Sequence, residues 1–470
     1  MALSSALFAG SSGLSTLGDT MQVIGDNIAN VNTIGFKSST ANFQDLLNQS
    51  VSTMNGSTQV GSGSSISDVS ASFEQGSFAA TGSATDLAIS GDGFFIISDP
   101  GTDIDYYSRA GNFGFDEDGY MVNPSGYVVQ GWELEAETGI DVGSITDINL
   151  NSFTSSPQES SEIQIIANLD STADSKSTDL AGLVGEWDAT TTPYIAEAAY
   201  EYQTTIEVYD SLGSAHDVTV YFDKDSDDPT LSIYNYIVTC NPDEDFKLAD
   251  PGTGLLESGT ITFDPTSGVM TGMTMGGLTE PAPLADGSIP EQFSFACNFL
   301  ETTTDDTSVA LDFGSSYDAT LTTPAWVNDS SSTTQYAVAS NTTYKTSDGY
   351  AAGELQDINV DENGVITGTY SNGQSIPLYR VALANFQNED GLVKEGGNLF
   401  SATSASGNAI PNKPGTNGLG SIASGSLEQS NVDIADEFVK MITTQRGYQA
   451  NSKIISTVDS MLSELMNLKR

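Results

Sequence analysis

The chain has 470 residues, enough for two to four domains, and its 46 glycines with 38% hydrophobic residues predict a turn-rich, β-rich protein. Its net charge of −49, from 14 Lys and Arg against 63 Asp and Glu, makes nucleic acid a poor partner. No apolar run approaches the roughly 18 residues that cross a membrane. Membrane insertion is therefore not expected. Because the first cation is Lys37, the chain start has no basic segment, and a cleaved signal peptide is not expected either.

The first 31 residues carry apolar side chains at spacings of three, four and seven, which is typical of a helix that faces a partner helix. These residues are Leu3, Leu7, Leu14, Leu17, Met21, Ile24, Ile28 and Val31. Turn chemistry over residues 30–35 ends the helix, and Gly35 is a candidate for a positive φ angle. Residues 32–75 are then predicted to be a Ser/Gly/Asn-rich linker that becomes ordered on assembly.

From residue 76 the pattern changes to short strands and Gly-rich turns. A hairpin is predicted from residues 87–90 and 94–97, with Asp-Gly in its turn. Two further hairpins, residues 113–122 and 358–367, share one Asp-rich turn pattern. These turns could be calcium loops, but neither has the other ligands of a known twelve-residue loop. Because similar hairpins lie on both sides of a long insert, one inner β-domain is predicted from residues 76–159 and 339–400.

The insert, residues 160–338, is predicted to be an outer acidic β-domain, with a further subdomain as an alternative for part of it. Its clearest predicted strands are residues 163–169, 204–210, 217–222 and 233–239. Cys240 and Cys297 both lie in this insert. They could form one disulfide or remain two free buried thiols.

The end of the chain repeats the pattern of its beginning. Residues 401–431 are predicted to be a second linker, and a final helix is expected over 432–470, with Asn431 or Asp433 as its N-cap. Its apolar seam comprises Ile434, Phe438, Met441, Tyr448, Ile455, Val458, Leu462 and Leu465. Since each terminal helix has one apolar seam, residues 1–31 and 432–470 are expected to pair as a polymerisation domain.

These elements together predict an α+β, mainly β fold. Paired terminal coiled-coil-like helices accompany discontinuous antiparallel β-domains, one inserted within another. Two isolated helices bury too little apolar surface to offset the entropy of ordering them. We therefore expect the ends to be largely disordered in a lone chain and to fold when neighbouring copies complete their packing.

The charge is concentrated between the ends. Residues 1–37 carry a net charge of −1 and residues 432–470 a net charge of zero, so −48 lies in residues 38–431. Near-neutral ends and an acidic body indicate a solvated exterior around an interior assembly surface. Adaptation to a salty habitat is an additional explanation for the acidity.

The sequence contains no pattern that requires an enzyme, a cofactor or a metal ion. His216 is the single histidine, and a lone histidine at a strand edge is more often a structural hydrogen bonder than a base. There is no nucleophile elbow, no phosphate-binding Gly-rich loop and no Cys/His cluster. With 63 carboxylates, close acid pairs arise by chance.

Both ends resemble known signatures. The run Asn27-Ile28-Ala29-Asn30-Val31-Asn32-Thr33-Ile34-Gly35-Phe36-Lys37 resembles the N-terminal signature of bacterial flagellar rod and hook proteins. Residues 430–459, which include Gln445, Arg446 and Asn451, resemble their C-terminal signature. Residues 91–95 and 107–111 are similar to the β-domain that rod and hook proteins share. Residues 208–222 and 383–398 are similar to hook proteins in particular, and residues 225–335 remain unassigned.

This resemblance implies a structural subunit that self-assembles into the tubular flagellar hook, a flexible joint that transmits motor torque from rod to filament. It implies an extracellular location, export without a cleaved signal peptide, and no cofactor. The implied partners are other copies of the chain, the rod, the hook cap, the hook–filament junction proteins and the flagellar export apparatus. A flagellar distal rod protein is the alternative, and a surface-layer or adhesin-type structural protein is a more distant one.

Overall fold

A computed structural model describes the backbone of most of the chain. The described residues are 2–46, 49–53, 56–102, 104–136, 138–150, 153–177, 180–225, 232–248, 252–282, 289–301, 306–321 and 324–467, without the side chains of 2–5, 49–53, 56–60, 465 and 467. Contacts divide the chain into unit 1, Met1–Phe153 with Leu355–Arg470, and unit 2, Thr154–Glu354. Strands dominate both, which confirms the prediction of a mainly β fold with few helices.

The elements follow in chain order. The α-helices of the described residues are α1 (Ala2–Ala29), α2 (Leu180–Gly185) and α3 (Ile434–Asn467). The first strands are β1 (Ser39–Asp45), β2 (Gln49–Thr53), β3 (Gly56–Val60), β4 (Ser64–Ala71), β5 (Phe78–Ala80), β6 (Leu87–Ser90), β7 (Phe94–Ser98), β8 (Asp105–Ser108), β9 (Gly114–Phe115), β10 (Met121–Val122), β11 (Val128–Leu134) and β12 (Asp141–Asp147). Those that follow are β13 (Thr154–Ser155), β14 (Glu162–Asp170), β15 (Tyr202–Tyr209), β16 (Ala215–Lys224), β17 (Ser232–Thr239), β18 (Leu255–Phe263), β19 (Met270–Met275), β20 (Phe293–Cys297), β21 (Thr307–Asp312), β22 (Ser315–Asp318), β23 (Ala325–Asn328), β24 (Thr334–Tyr336) and β25 (Asn341–Ser347). The last are β26 (Gly353–Val360), β27 (Val365–Tyr370), β28 (Ser375–Val381), β29 (Leu383–Asn385), β30 (Val393–Gly396), β31 (Leu399–Ser401), β32 (Ile410–Asn412), β33 (Ser421–Ser424) and β34 (Ser426–Glu428).

Unit 1 is built from both halves of the chain. Strand β11 pairs antiparallel with β7 and β12 from the first half and with β28 from the second. Strand β7 also pairs with β29, and β8 pairs with β31. Their apolar side chains share one core that includes Phe95, Val129 and Val381. The strands of the two halves therefore interleave, while the domain limits predicted above, 76–159 with 339–400 and 160–338, stay predictions.

Two of the predicted hairpins are confirmed. Strands β9 and β10 pair around the turn 116–119, and β26 and β27 pair around 361–364. In both turns a carboxylate accepts two backbone amides, since Asp116 Oδ1 binds residues 118 and 120, and Asp361 Oδ1 binds residues 363 and 365. This is ordinary Asx-turn chemistry.

The hairpin predicted over residues 87–97 is wrong. Strand β6 pairs with β33, whereas β7 pairs with β8, β11 and β29. Gly91 and Gly93 have φ angles of 119° and 124°, and a Cβ at Gly91 would lie 2.9 Å from the Cα of Gly420. Because the second half of the chain packs directly on this turn, β6 turns away to a distant partner.

The two predicted linkers contain strands. In residues 32–75, β1 pairs antiparallel with β4, and β2 pairs with β3. In residues 401–431, β32 pairs with β29, β33 with β6 and β34 with β5. Low hydrophobicity was a poor guide here, because these short strands obtain their backbone hydrogen bonds from pairing and need few buried side chains.

Unit 2 contains two five-stranded sheets. One has the order β15-β16-β17-β18-β19, and the other joins β14 with β20, β21, β24 and β25. Side chains from both sheets meet in one core, to which described strands between residues 232 and 312 contribute, and the alternative of a further subdomain stays a prediction. Strand β14 pairs in parallel with β21 and β24, which corrects the fully antiparallel expectation. Parallel pairing needs a long crossover, and the intervening sheet supplies it.

The cysteines of unit 2 are free. Cys240 and Cys297 are buried in the same core and form no disulfide. Burial raises the pKa of both thiols to about 12. Both are therefore protonated at neutral pH.

Candidate functional site

The terminal helices pack against each other within one chain. The methyl of an alanine at Gly10 would lie 3.2 Å from Ile455 Cγ1, and one at Gly447 would lie 3.1 Å from Leu17 Cδ1. Residue numbers therefore fall along α3 as they rise along α1, so the two helices are antiparallel. Each helix provides a packing partner for the other, and the expectation that both ends are largely disordered in a lone chain stays a prediction.

Small residues allow the two helices to approach each other closely. A Cβ at Gly13 would approach Asn451 Nδ2 to 2.7 Å, and Thr16 is almost fully buried. On α3 the face toward α1 includes Thr444, Gly447 and Asn451. Glycines on each helix thus face larger side chains on the other, at positions of the seam that apolar periodicity does not identify.

The predicted seam residues divide between the two sides of this pair. Ile24 and Val458 are buried, while the half-buried ones are Leu7, Leu14, Leu17, Met21, Ile28, Val31, Met441 and Ile455. Ile434, Phe438, Tyr448 and Leu462 are exposed. The side chains of Leu3 and Leu465 lie outside the described residues.

The exposed side of α3 carries an apolar stripe of its own. Ile434, Phe438 and Ile442 are 44%, 49% and 50% exposed and recur every four residues, which places them on one helix face. We call these three residues the outer stripe. Exposed apolar faces of this kind mark interaction surfaces more often than solvated ones.

The base of the helices is held by a collar, which we define as residues 27–39 with residues 428–431. Asn27 is 1% exposed, and its side chain exchanges two 2.8 Å hydrogen bonds with the backbone of Ser39. Gly35 has a φ of 67°, its amide donates to the Glu428 carbonyl, and a Cβ there would lie 2.5 Å from the amide nitrogen of Ala110. Only glycine fits this position.

Asn431 joins the collar to the segment before β5. Its carboxamide oxygen accepts the Ser38 amide at 2.8 Å, and its Nδ2 donates to the carbonyls of Ser72 and Glu74. The helix itself starts just beyond, because Asp433 Oδ1 accepts the amide of Ala435 at 2.7 Å as the N-cap. The C-terminal helix is thus anchored directly beside the end of the N-terminal one.

The collar also contains buried charge. Lys37 Nζ lies 2.7 Å from Glu428 Oε1 and donates to the Glu74 carbonyl at 2.8 Å. The guanidinium of Arg109 faces the ring of Phe94, with Arg109 Cζ 5.1 Å from the ring centroid. Burial lowers the pKa of both the Lys37 ammonium and the Arg109 guanidinium, and the Glu428 carboxylate opposes this.

A loop of the inner sheet completes the collar. Lys394 Nζ donates to the Lys37 carbonyl at 2.9 Å and lies over the ring of Phe36, 5.0 Å from its centroid. Asn398, with a φ of 64°, donates to the Ile34 carbonyl at 2.9 Å. The turn after α1 is therefore held from both sides.

The remaining signature residues have different surroundings. Asn30 and Thr33 hydrogen bond to each other at 3.1 Å inside the turn, and Asn32 is exposed. Gln445 and Arg446 are exposed on α3. The N-terminal signature thus mainly builds the collar, whereas these two C-terminal signature residues face outward.

The sequence-based site selection missed Arg109, Lys394, Asn398 and Glu428, and it considered Asn431 only as a helix cap. One signal could have found Arg109, which lies between Tyr107 and Gly111 and is 1% exposed. In a chain with 14 cations against 63 acids, most cations can find a carboxylate at the surface, so one placed next to glycine and aromatic residues is a candidate for burial.

The described part of the chain lacks the side-chain groups of a metal centre and the helices of a membrane span. Its residues contain no group of three or more His, Cys, Asp and Glu side chains placed to hold a metal ion. None of its helices has the length and apolar character needed to cross a membrane. His216 makes hydrogen bonds, as predicted, with Nδ1 2.7 Å from Glu244 and Nε2 3.3 Å from Asp210, and it stacks on Phe299.

The chain is similar to known flagellar proteins along most of its length. Four family descriptions match along the chain: flagella basal body rod protein at residues 7–37, flagellar hook protein FlgE/F/G D1 domain at 88–171, flagellar basal body protein FlaE D2 domain at 168–350, and flagellar basal body rod FlgEFG protein C-terminal at 423–468. The flagellar hook protein FlgE of Borreliella burgdorferi is 34% identical over 99% of both chains. The chain belongs to the flagellar hook protein family.

Other hook proteins are similar over nearly their whole length. FlgE of Treponema pallidum is 32% identical over 99% of each chain, and FlgE of Escherichia coli is 30% identical over 97% of this chain and 98% of its own. Among solved structures, Helicobacter pylori flagellar hook protein FlgE2 aligns with a TM-score of 0.46 at 16% identity, covering 73% of this chain and 98% of its own.

Proposed function

We propose that the protein is the structural subunit of a flagellar hook, a helical tube that bends while it transmits motor torque from rod to filament. The observation that carries this proposal is the full-length similarity to hook proteins, which includes both terminal helices and unit 2. The role is mechanical, so no catalytic group is required. The partners we propose are other copies of the chain, the rod, the hook cap, the hook–filament junction proteins and the export apparatus.

The outer stripe is the surface through which copies would associate. Because Ile434, Phe438 and Ile442 remain exposed after α1 and α3 pair, a second helix pair can cover them. A contact between different faces of identical chains is heterologous and leads to an open helical assembly. In this proposal the α1–α3 pairs of neighbouring copies pack against each other in a coiled-coil-like way.

A groove beside the helices offers a complementary surface. It has a volume of about 310 Å³, and its lining includes Leu17, Val23, Ile24 and Phe43, with Glu437 and Lys440 also present. Apolar walls with charged residues among them suit a side chain from a neighbouring copy. The groove therefore supports an interface between the terminal helices of neighbouring copies.

A distal rod protein is the second candidate, since the descriptions that match both ends include rod proteins. The D2 description at residues 168–350 and the full-length hook relatives favour the hook subunit. The location we propose is the extracellular part of the flagellum, reached without removal of a leader peptide.

Electron microscopy of polymers grown from purified protein tests the proposal. A curved tube supports a hook subunit, a straight rigid tube supports a rod subunit, and sheets or the absence of polymer contradict both. Removing residues 1–30 together with the residues from 432 onward is the matched control, and it should abolish tubes.

A further inference from the structure

Three charged side chains from distant parts of the sequence meet inside the collar. Lys37, Arg109 and Glu428 are each at most 1% exposed. Lys37 follows α1, Arg109 follows β8 of the inner sheet, and Glu428 ends β34 just before α3. The cluster therefore connects both terminal helices to the β-core.

The charges in this cluster are not balanced one to one. Lys37 Nζ lies 2.7 Å from one oxygen of Glu428, and Arg109 Nη1 lies 3.8 Å from the other. Arg109 Nε and Nη2 have no hydrogen-bond partner among the described residues. Glu389 and Asp92 act on Arg109 only through their electrostatic field. A single buried carboxylate thus neutralises two buried cations.

Glu428 also accepts hydrogen bonds from backbone amides, one through its carboxylate and one through its own backbone carbonyl. Glu428 Oε1 accepts the Gly76 amide at 2.9 Å, and the Glu428 carbonyl accepts the Gly35 amide at 2.8 Å. Loss of the charge would therefore affect the strand β34, the turn after α1 and the segment before β5 together.

We propose that Glu428 is the positioning residue that fixes both terminal helices to the β-core by neutralising Lys37 and Arg109 at once. The inference concerns one folded subunit, and only its importance for assembly rests on the proposed function. A buried ion pair adds little net stability, but a buried charge without a partner is strongly unfavourable. The cluster therefore depends most on Glu428, because its loss leaves both buried cations without a partner.

This arrangement predicts that substitutions of the three charged residues have unequal effects. Glu428→Gln leaves two cations facing each other away from water, and Arg109 already disfavours the charged form of Lys37. Lys37→Met leaves Arg109 with Glu428, which is one cation with one carboxylate. Glu428→Gln should thus be the more damaging change, and adding Lys37→Met should partly rescue it. A simple Lys37–Glu428 pair would instead give about equal effects for the two single variants and nearly complete rescue in the double variant, because no buried charge is then left without a partner.

Hydrogen exchange of the full-length monomer, read by mass spectrometry, measures these effects. In peptides covering residues 27–39 and 428–440, Glu428→Gln should accelerate exchange at least about a hundredfold, and Lys37→Met by less than about tenfold. The double variant should exchange at least about tenfold more slowly than Glu428→Gln. Peptides from β15–β19 of unit 2 provide the internal reference and should be unchanged.

A second three-charge group supplies a matched control. Asp141 contacts both Arg380 and Lys413, but Lys413 is half exposed, so water can replace the carboxylate. Asp141→Asn should therefore change exchange in unit 1 only a few-fold. Equal effects of the two single variants, additive effects in the double variant, or a double variant that fails to fold would each overturn the proposal. Tube formation by wild-type protein is scored separately, so failure of the hook assignment would be recognised independently.

Discussion

At the scale of single residues, the collar depends on a glycine that no other residue replaces. Gly35 combines a φ of 67° with a close approach to Ala110, so Gly35→Ala meets both backbone strain and overlap. We expect a loss of about 2–3 kcal/mol in the unfolding free energy of unit 1. Thermal unfolding followed by calorimetry measures this loss.

Gly25→Ala is the matched control for this substitution. Gly25 lies within α1, has no positive φ, and a Cβ there would meet no atom within 4 Å. Alanine should stabilise the helix by about 0.5–1 kcal/mol. Similar melting temperatures for the two variants would contradict the role assigned to Gly35.

Asp210 gives unit 2 a defined acid sensitivity. Burial alone would raise its pKa, but the amides of Ser214 and Leu212 and the imidazole of His216 lower the pKa below its usual range. The stabilisation from Asp210 is therefore fully present above the unfolded pKa of about 3.9 and is lost as pH falls through the lower folded pKa.

Asp210→Asn should reduce the stability of unit 2 by roughly 1–2 kcal/mol at pH 7. The difference from the wild type should shrink below about pH 4, where the native carboxylate becomes protonated. Urea unfolding at several pH values measures it. Asp217→Asn, on an exposed neighbour, is the control, and a difference between wild type and Asp210→Asn that is constant from pH 7 to pH 2 would refute the assignment.

At the scale of elements, the α1–α3 pair depends on small residues at its contact. Gly13→Leu would insert a side chain where Asn451 approaches to 2.7 Å, and it should separate the two helices locally. Gly18→Leu is the control, since a Cβ there meets no atom within 4 Å. Spin labels on α1 and α3 should report a longer or broader distance distribution for Gly13→Leu only. Unchanged distances in both variants would contradict the packing.

The sequence predicted both terminal helices and their pairing, but only part of the face through which they pair. Apolar periodicity selected Phe438 and Tyr448, whereas the contact uses Thr444, Gly447 and Asn451 between fewer apolar residues. Glycine and threonine carry no hydrophobic signal, so periodicity cannot find a close contact built from them. Phe438 and Tyr448 are instead exposed, whereas Leu17 and Ile455 of the predicted seams do contribute to the contact.

The strand pairings are also only partly predictable from the sequence. The two Asp-rich hairpins were predictable because their turn chemistry is local. The pairing of β6 with β33 and the collar bonds from Glu428 and Asn431 join residues more than 300 positions apart. Local composition holds no information on such partners, so these regions looked like linkers.

At the scale of the whole molecule, the charge of the body should make assembly sensitive to salt. A net charge of −48 in residues 38–431 means that neighbouring bodies repel each other until ions screen them over about 8–10 Å. We expect polymerisation to become faster, and tubes to change curvature, as sodium chloride or a divalent cation is added. Tubes whose length, curvature and stiffness were the same in low and high salt would contradict this expectation.

The central claim is that copies associate through the apolar face that the helix pair leaves uncovered, and polymerisation of a double variant in that face tests it most directly. Phe438→Ser with Ile442→Ser should leave the melting temperature of the monomer nearly unchanged, because both side chains are exposed. Electron microscopy should then show no tubes at concentrations where the wild type forms them. A control with Ile104→Ser and Ile140→Ser, equally exposed residues of unit 1 outside the helices, should still form tubes. Normal tubes from the Phe438 and Ile442 variant would contradict the account.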